Sequence, residues 1–325
     1  MKESARENPG AVIRRGKTQE DVGVIDFHTH ILPGIDDGSK DTDMTEQMLR
    51  MEAEQGVGII VATPHFYANR MSVEKFLERR AGALQKTEEV VERNRGVFDV
   101  SIFAGAEVYY FREMGHAAQL PRLTIRPTAI NSETAGAAAT AAQADSAAKT
   151  SAAATATPAD GTAPAGAGAD MLLGDTDTLL LEMPFEQWTS GMVRDVEAII
   201  EKQKLTVVLA HIERYIEFQK DRSSWDRILE MPVIPQINAG SFIKKSGFDS
   251  GRRGGLLGGL FSSDKKRKFC LNFIASHPDF ILGSDCHNLS SRRPNTAAAR
   301  EEIRSASGEK ALARMDATTR RALGL

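Results

Sequence analysis

Histidine or carboxylate residues follow six of the seven short apolar segments that we predict to be β-strands, and this recurrence constrains the fold more than any other feature. The predicted strands are Val24–Phe27, Ile59–Thr63, Val100–Ala104, Thr178–Leu181, Thr206–Ala210, Val233–Ile237 and Asp279–Leu282. The residues at or just beyond their carboxyl ends are His28, His30, His65, Glu107, Glu182, His211, Asp285 and His287, whereas Asn238 follows the sixth strand. Because the carboxyl ends of barrel strands converge on one face, we expect these side chains to meet in a single pocket.

Apolar residues between the predicted strands recur at helical spacing. Met44, Met48 and Met51 form one such stripe, and Ser72 is a suitable N-cap for the next helix. Later helices are predicted at Met192–Lys202, Ser224–Glu230, Lys265–Ala275 and Thr296–Arg304. Alternating strands and helices predict an α/β fold with a parallel sheet, and ligand-type residues at so many strand ends favour a distorted, TIM-like (β/α)7 barrel over a flat doubly wound sheet.

Composition divides the chain of 325 residues into one folded domain and three other segments. Residues 1–21 are charged and lack a long apolar run, so they are predicted to form a flexible N-terminal tail. Residues 131–170 contain no Val, Ile, Leu, Met or aromatic residue and cannot bury enough apolar surface to offset the entropy cost of ordering. We therefore predict one domain over 22–310, interrupted by a disordered Ala-rich insertion and followed by a C-terminal segment, 311–325.

Charge and cysteine content exclude several classes of protein. The net charge of -3 provides no general basic field for nucleic acid, and the basic run Lys265–Lys268 is interpreted as the solvated face of a helix. Two cysteines are too few for a disulfide framework, and no apolar run approaches the ~20 residues of a membrane helix. We predict a cytoplasmic protein with no membrane insertion and no nucleic-acid partner, and the sequence leaves its oligomeric state open.

The residues at the strand ends are suited to a polynuclear metal site. His28 and His30 alternate along one strand, so both imidazoles can reach the same ion, and Glu107 is a carboxylate that can bridge two ions. In the loop after the first strand, Asp36 precedes Asp37-Gly38 and is interpreted as a turn residue, whereas Asp37 is a candidate ligand. The nine candidate ligands, which suit two or three ions of Mn²⁺, Fe or Zn²⁺, are His28, His30, Asp37, His65, Glu107, Glu182, His211, Asp285 and His287.

Such a metal cluster predicts hydrolysis of a phosphomonoester. Bound divalent ions lower the pKa of water to about 7, so that a metal-bound hydroxide can attack in line. The equatorial phosphoryl oxygens then need further positive charge, which arginine supplies through two hydrogen bonds. Arg214 and Arg292 follow ligand-bearing strands and are the candidates for this role.

A cysteine-dependent mechanism is a competing interpretation of one segment. Cys286 and Arg292 have the C-x5-R spacing of cysteine-dependent tyrosine phosphatases, in which a thiolate is the nucleophile. The intervening loop lacks the glycines that would let backbone N–H groups surround an anion. Its neighbours Asp285 and His287 are also candidate metal ligands, so the metal-dependent mechanism is favoured.

Seven sequence motifs resemble the polymerase-and-histidinol-phosphatase (PHP) superfamily. Within it, the chain resembles the bacterial tyrosine-protein phosphatases that regulate capsular and exopolysaccharide synthesis. The similarity extends from about Val24 to Pro294 outside the insertion. The motifs lie at Asp26–His30, Gly34–Ser39, Ala62–His65, Gly105–Tyr110, Ala210–Tyr215, Gln236–Ser241 and Ser284–Asn288.

The resemblance implies three divalent ions, usually Mn²⁺, in a distorted (β/α)7 barrel of the PHP fold. By the family pattern, one ion is held by His28, His30, Glu107 and Asp285. The second is held by Glu107, Glu182 and His211, and the third by Asp37, His65 and His287. Arg214 and Arg292 match the phosphate-contacting arginines, and the implied substrate is the phosphotyrosine tail of a bacterial tyrosine autokinase.

Two other functions remain open from the sequence. One is a PHP-type phosphatase for a small phosphomonoester such as histidinol phosphate. The other is a catalytically silent, metal-binding scaffold that sequesters a kinase tail. The insertion at 131–170 precedes the strand that carries Glu182, and it could alter docking of such a tail.

Overall fold

The computed structural model describes residues 23–128, 177–244 and 258–325, and side chains from 264 onward in the last range. The predicted N-terminal tail (1–21) and the predicted insertion (131–170) lie outside the described residues. Within the described ranges, strands and helices alternate along most of the chain. The architecture is therefore α/β, with parallel strands as its framework.

Strands are found at all seven predicted positions, and three further short strands accompany them. The first five are β1 (Val24–Thr29), β2 (Val57–Ala62), β3 (His65–Phe66), β4 (Ser101–Ala104) and β5 (Glu107–Tyr109). The others are β6 (Arg126–Pro127), β7 (Thr178–Glu182), β8 (Thr206–Leu209), β9 (Ile234–Asn238) and β10 (Ile281–Gly283). The pattern of apolar segments did not identify β3, β5 or β6, each of which is only two or three residues long.

Helices cover the predicted helical segments. They are α1 (Thr42–Glu54), α2 (Val73–Arg93), α3 (Ser190–Glu201), α4 (Ser223–Leu229), α5 (Gly258–Ser276), α6 (Thr296–Ser307) and α7 (Glu309–Ala322). Ser72 caps α2 as predicted, accepting a hydrogen bond from the backbone N–H of Lys75, and Asp41 and Thr189 cap α1 and α3 in the same way. Of the described helices, none is long and apolar enough to span a membrane.

Two sheets curl towards each other into a distorted barrel. One has the strand order β1-β2-β4-β6 and the other β10-β9-β8-β7-β5-β3, and all pairs are parallel except β4 with β6. A parallel bridge between Thr29 and Cys286 joins β1 to the end of β10. On the other side, the backbone N–H of Ile125 donates to the carbonyl oxygen of Thr178 at 2.8 Å and links the β6 segment to β7.

Backbone breaks near the pocket explain two of the three extra strands, β3 and β5. The chain leaves β2 at Thr63-Pro64 and resumes as β3, and it leaves β4 at Gly105-Ala106 and resumes as β5. Proline lacks the N–H that a continuous ladder needs, and a Cβ on Gly105 would lie 2.7 Å from the Ile125 side chain. Each break moves the strand end into the second sheet, where His65 pairs with Glu107.

The barrel interior is filled by apolar side chains below the pocket. Phe27, Val61, Leu180, Val208 and similar inward-facing residues form one buried cluster. Ala322 and Leu323, at the end of α7, belong to the same cluster and close it from the amino-terminal end of the strands. A second, larger cluster packs the helices against the outer face of the sheet. This packing fixes the strands, and so fixes the positions of the residues at their carboxyl ends.

Candidate metal centre

All nine candidate ligands predicted from the sequence lie in one pocket at the carboxyl ends of the strands. Each has a nitrogen or carboxylate oxygen within 4 Å of a polar atom of another candidate ligand. Eight are buried or nearly so, and Asp37 is the exception, with 68% of its side chain exposed. Residues as far apart in sequence as His28 and His287 therefore meet, as the convergence of strand ends requires.

Two imidazoles and two carboxylates approach one another in the first group of ligands. His28 Nε2 lies 3.2 Å from His30 Nε2, 3.3 Å from Glu107 Oε2 and 3.7 Å from Asp285 Oδ1. His30 Nε2 lies 3.4 Å from Glu107 Oε2 and 3.5 Å from Asp285 Oδ1. Bonds of about 2.0–2.2 Å to a tetrahedral ion would place its ligand atoms about 3.3–3.6 Å apart. The two imidazoles therefore lie at ligand spacing from each other and from both carboxylates, as residues that share an ion would.

Glu107 extends this group towards a second position. While its Oε2 faces His28 and His30, its Oε1 lies 2.8 Å from His211 Nε2. His211 Nε2 is in turn 3.4 Å from Glu182 Oε1. One carboxylate thus has an oxygen on each of two ligand groups, which is the geometry of a bridging ligand.

The remaining candidates form a third group at the mouth of the pocket. Asp37 Oδ1 lies 3.4 Å from His65 Nε2 and 3.5 Å from His287 Nε2. His65 also contacts the other two groups, because its Nδ1 is 2.8 Å from Glu107 Oε2, which faces the first, and 3.9 Å from Glu182 Oε2 in the second. The groups are contiguous, and His30, His65 and His287 also have ligand atoms within 4.8 Å of one another.

Several buried polar atoms in the pocket have no hydrogen-bond partner, which fits a metal centre. They include Glu182 Oε2 and His287 Nε2. His65 Nδ1 and Glu107 Oε2 lie 2.8 Å apart but do not form a hydrogen bond. A buried polar atom without a partner is costly, and lone pairs aimed at a shared space are what a divalent cation would satisfy.

The pKa values reflect crowding of cations and anions in this pocket. Burial favours the neutral form of Glu107, but His28, His211 and His30 outweigh it and hold its pKa well below the usual range. Burial lowers the pKa of His211, but hydrogen bonds with Glu107 and Glu182 raise it to about 9. Burial and the charge on His30 together lower the pKa of His287 to about 3. Protons on the histidines here neutralise the negative charge of the clustered carboxylates. Bound divalent ions would neutralise the same charge and displace those protons.

Strand β9 ends without a ligand, and its side chains orient the ligands of its neighbours. Gln236 Oε1 accepts a hydrogen bond from the backbone N–H of His211 at 2.8 Å and lies 3.0 Å from His28 Nδ1. Since Oε1 is therefore the acceptor, His28 Nδ1 must donate, which leaves the Nε2 lone pair directed into the pocket. Asn238 donates to Asp285 Oδ2 at 2.7 Å and accepts from Gln236.

Asp36 has a role that the turn interpretation did not identify. Its Oδ1 does accept from the backbone N–H of Gly38 at 2.9 Å, as a turn residue would. Its Oδ2, however, lies 2.7 Å from His30 Nδ1 and also accepts from the backbone N–H of His65 at 3.1 Å. The carboxylate therefore fixes two candidate ligands at once. The available signal in the sequence was that Asp36 directly precedes the candidate ligand Asp37. That signal does not distinguish a turn residue from a residue that orients ligands.

Local backbone geometry brings the ligands close together. A Cβ on Gly38 would lie 2.2 Å from the His30 carbonyl oxygen, and one on Gly283 would lie 2.5 Å from the His28 Cβ. Both positions therefore require glycine. His211 and Asp285 adopt positive φ angles of 32° and 53°, which are uncommon for residues with a side chain and occur most often at functional sites.

The two predicted arginines lie at the edge of the pocket. Arg292 Nη2 is 2.7 Å from Asp285 Oδ1, and Arg214 Nη1 is 4.0 Å from Asp285 Oδ2. The Arg214 guanidinium also lies over the Phe185 ring, 4.6 Å from its centroid. Each arginine side chain is 39% exposed. Both guanidinium groups are therefore within reach of an anion that enters the pocket.

The Cys286 side chain faces away from the pocket, towards Glu52 on α1. Its side chain is fully buried and its Sγ is 3.7 Å from Glu52 Oε1. Burial, together with Glu52 and Asp26, raises the pKa of the thiol well above its usual range. A nucleophilic cysteine needs an accessible thiolate, so the C-x5-R spacing has no catalytic meaning here.

Comparison with known proteins places this pocket in a family. Residues 24–127 and 163–320 match the model of the family described as capsular polysaccharide synthesis, CpsB/CapC. The tyrosine-protein phosphatase CpsB of Streptococcus agalactiae serotype III is 23% identical over 290 residues, covering 85% of this chain and 88% of the relative. The tyrosine-protein phosphatase YwqE of Bacillus subtilis is also 23% identical, over 279 residues, covering 85% of this chain and 82% of the relative.

A solved structure shares the fold. It comes from work on YwqE of Bacillus subtilis and CpsB of Streptococcus pneumoniae, which are described there as metal-dependent tyrosine phosphatases. The match has a TM-score of 0.61 at 18% identity and covers 92% of this chain and 94% of the other. It confirms the predicted distorted barrel of the PHP type, and the names of the relatives agree with the predicted enzyme class, a metal-dependent phosphoric monoester hydrolase. The family resemblance seen in the motifs is likewise confirmed, and the chain belongs to the CpsB/CapC family of capsular polysaccharide synthesis.

Proposed function

We propose that this protein is a metal-dependent protein-tyrosine phosphatase that acts in the cytoplasm on the phosphotyrosine tail of a bacterial tyrosine autokinase controlling capsule or exopolysaccharide synthesis. The observation that carries the proposal is the bridging position of Glu107, whose two oxygens face two separate groups of buried ligands. The tyrosine-protein phosphatases among its relatives support the choice of substrate.

Three divalent ions, Mn²⁺ in preference to Fe or Zn²⁺, would occupy the pocket. His28, His30, Glu107 and Asp285 would hold the first. Glu107, Glu182 and His211 would hold the second, and Asp37, His65 and His287 the third. When bound, such ions neutralise phosphoryl charge and lower the pKa of water towards 7.

The arginines of this chain would bind and orient the substrate. Arg214 and Arg292 both lie beside Asp285, and their side chains are exposed enough to turn towards a phosphoryl group. A guanidinium can donate two parallel hydrogen bonds to phosphoryl oxygens, which fixes the phosphorus for in-line attack. Stacking on Phe185 limits the freedom of Arg214, so that less entropy is lost when it binds the substrate.

Hydrolysis of a tyrosine-phosphorylated peptide tests the proposal. Purified protein would be assayed as isolated, after treatment with a chelator, and after addition of Mn²⁺, with histidinol phosphate as the competing substrate. We expect phosphate release from the peptide, loss of activity with chelator and recovery with Mn²⁺. Higher kcat/KM for histidinol phosphate, or activity that resists the chelator, would overturn the proposal.

A further inference from the structure

Two tyrosines, Tyr67 and Tyr109, lie next to the candidate metal ligands on the side of the pocket mouth. Tyr109 lies on the same face of β5 as Glu107, because side chains of a strand alternate between its two faces, and Tyr67 follows β3 directly with its ring against that of His65. His65 pairs with Glu107 in parallel register, and Tyr109 pairs with Glu182. Each tyrosine follows a candidate ligand by two residues, about 7 Å along an extended chain, so the pair lies nearer the mouth of the pocket than His65 and Glu107.

The tyrosine rings are close to each other and to the ligands. The centroid of the Tyr67 ring lies 5.5 Å from that of Tyr109 and 5.4 Å from that of His65. The Arg70 guanidinium lies 4.4 Å from the Tyr67 centroid and packs over this ring. Phe185 is stacked on His211, with centroids 5.8 Å apart and planes at 20°. Aromatic rings therefore stand above two of the ligand imidazoles.

Core packing does not account for these tyrosines. The alternate residues of the same strands, Phe66 and Val108, are 2% and 0% exposed and fill the hydrophobic core. Tyr67 and Tyr109, in contrast, are only half-buried. The adjacent residues Phe66 and Val108 already anchor these segments in the core, so the tyrosines are not needed for that purpose. Half-exposed rings at the mouth of a polar pocket are available to a ligand.

We propose that Tyr67 and Tyr109 form a subsite for the phenyl ring of phosphotyrosine, an inference that rests on the proposed function. A phosphoryl group bound beside the candidate ligands would direct its ester substituent towards the mouth of the pocket. Tyr67 and Tyr109 lie on that side. Aromatic rings attract one another in offset or edge-to-face arrangements, and an aliphatic ester has no such ring. The two tyrosines thus select aryl over alkyl phosphate monoesters.

The test compares matched substrates and matched variants. Steady-state kinetics would be measured with Mn²⁺ on one peptide carrying either phosphotyrosine or phosphoserine, for the wild type, Tyr67→Leu and Tyr109→Leu. Tyr110→Leu is the control, because Tyr110 follows Tyr109 on the opposite face and its hydroxyl donates to Asp195 at 2.6 Å. Tyr67→Phe and Tyr109→Phe keep the ring, and inhibition by inorganic phosphate reports on the phosphoryl site alone.

We expect each leucine variant to raise KM for the phosphotyrosine peptide roughly three- to tenfold, the effect of losing one ring contact. The inhibition constant of inorganic phosphate and the kinetics on phosphoserine should stay within about twofold, and the phenylalanine variants should retain the preference. Equal losses on both peptides, or the same loss with Tyr110→Leu, would overturn the subsite. A wild type without preference for phosphotyrosine would instead contradict the proposed function, so the two failures are distinguishable.

Discussion

The candidate ligands and the side chains behind them are two parts of one site, yet they differ in how the sequence encodes them. The ligands are histidines and carboxylates at the ends of strands, a position and a chemistry that stand out in the sequence. The supporting residues, chiefly Asp36, Gln236 and Asn238, are common polar types whose partners lie on other strands. The comparison teaches that the sequence identifies the groups able to bind an ion more readily than the groups that aim them.

The largest effect is expected from Glu107→Gln, which acts on the ligands themselves. An amide keeps the shape of the side chain but removes the charge that faces two ligand groups. Loss of the metal contribution, several kcal/mol, predicts a decrease in kcat/KM of about a thousandfold. Elemental analysis should show fewer bound ions per chain than in the wild type. Full metal content with full activity would contradict the bridging role.

The second-largest loss of activity is expected from Asp36→Asn, which changes a supporting residue. Asparagine can still accept from Gly38 N–H and keep the turn, but it lacks the charge that orients His30. Loss of a carboxylate behind a metal-binding histidine usually costs about 10- to 100-fold in metal affinity or activity. The measurements are Mn²⁺ titration and kcat/KM, with thermal unfolding to verify the fold. If Asp36 served only the turn, both values would match the wild type.

Most of the framework could be predicted from the sequence because strands and helices differ in their apolar period. The short strands β3 and β5 could not, because Pro64 and Gly105 break longer strands and the resumed pairing depends on the opposite sheet. Helix α7 was not predicted either, since Leu312 and Met315 are its only large apolar residues that are buried. Its docking depends on the open end of the barrel, which exists only after the strands have assembled.

The parts of the site that could be predicted are the residues whose type and position together indicate a single role. His211 ends a strand and has few structural reasons to be buried there, so it was identified as a candidate ligand. Gln236 lies inside a strand, where a glutamine has no distinctive pattern. Its role arises from contacts with His28 and with the backbone of His211, residues distant in sequence. Without spatial neighbours, the sequence could not assign this role.

Substitutions of Gln236 are expected to lower kcat/KM less than Asp36→Asn does. Gln236→Glu and Gln236→Leu are compared because they differ in whether an acceptor remains. Glutamate keeps an acceptor for His28 Nδ1 and for the His211 N–H, so we expect a loss in kcat/KM of no more than about tenfold. Leucine leaves both donors buried without an acceptor, which predicts a loss of stability of about 1–3 kcal/mol for each. Urea unfolding would measure this difference. Equal stability of the two variants would show that the amide oxygen does not hold these groups.

The smallest effect is expected from Cys286→Ser, although this residue lies between two candidate ligands. Asp285 and His287 face each other in the pocket, whereas Cys286 faces Glu52 on α1, so the thiol cannot reach a phosphoryl group. Serine is slightly smaller and can still donate to a carboxylate, so kcat/KM should stay within about twofold of the wild type. The assay is hydrolysis of the phosphotyrosine peptide with and without chelator. Activity abolished by this substitution but insensitive to chelator would reverse the comparison, because the thiol behind the ligands would then perform the reaction and the ligands would only support it.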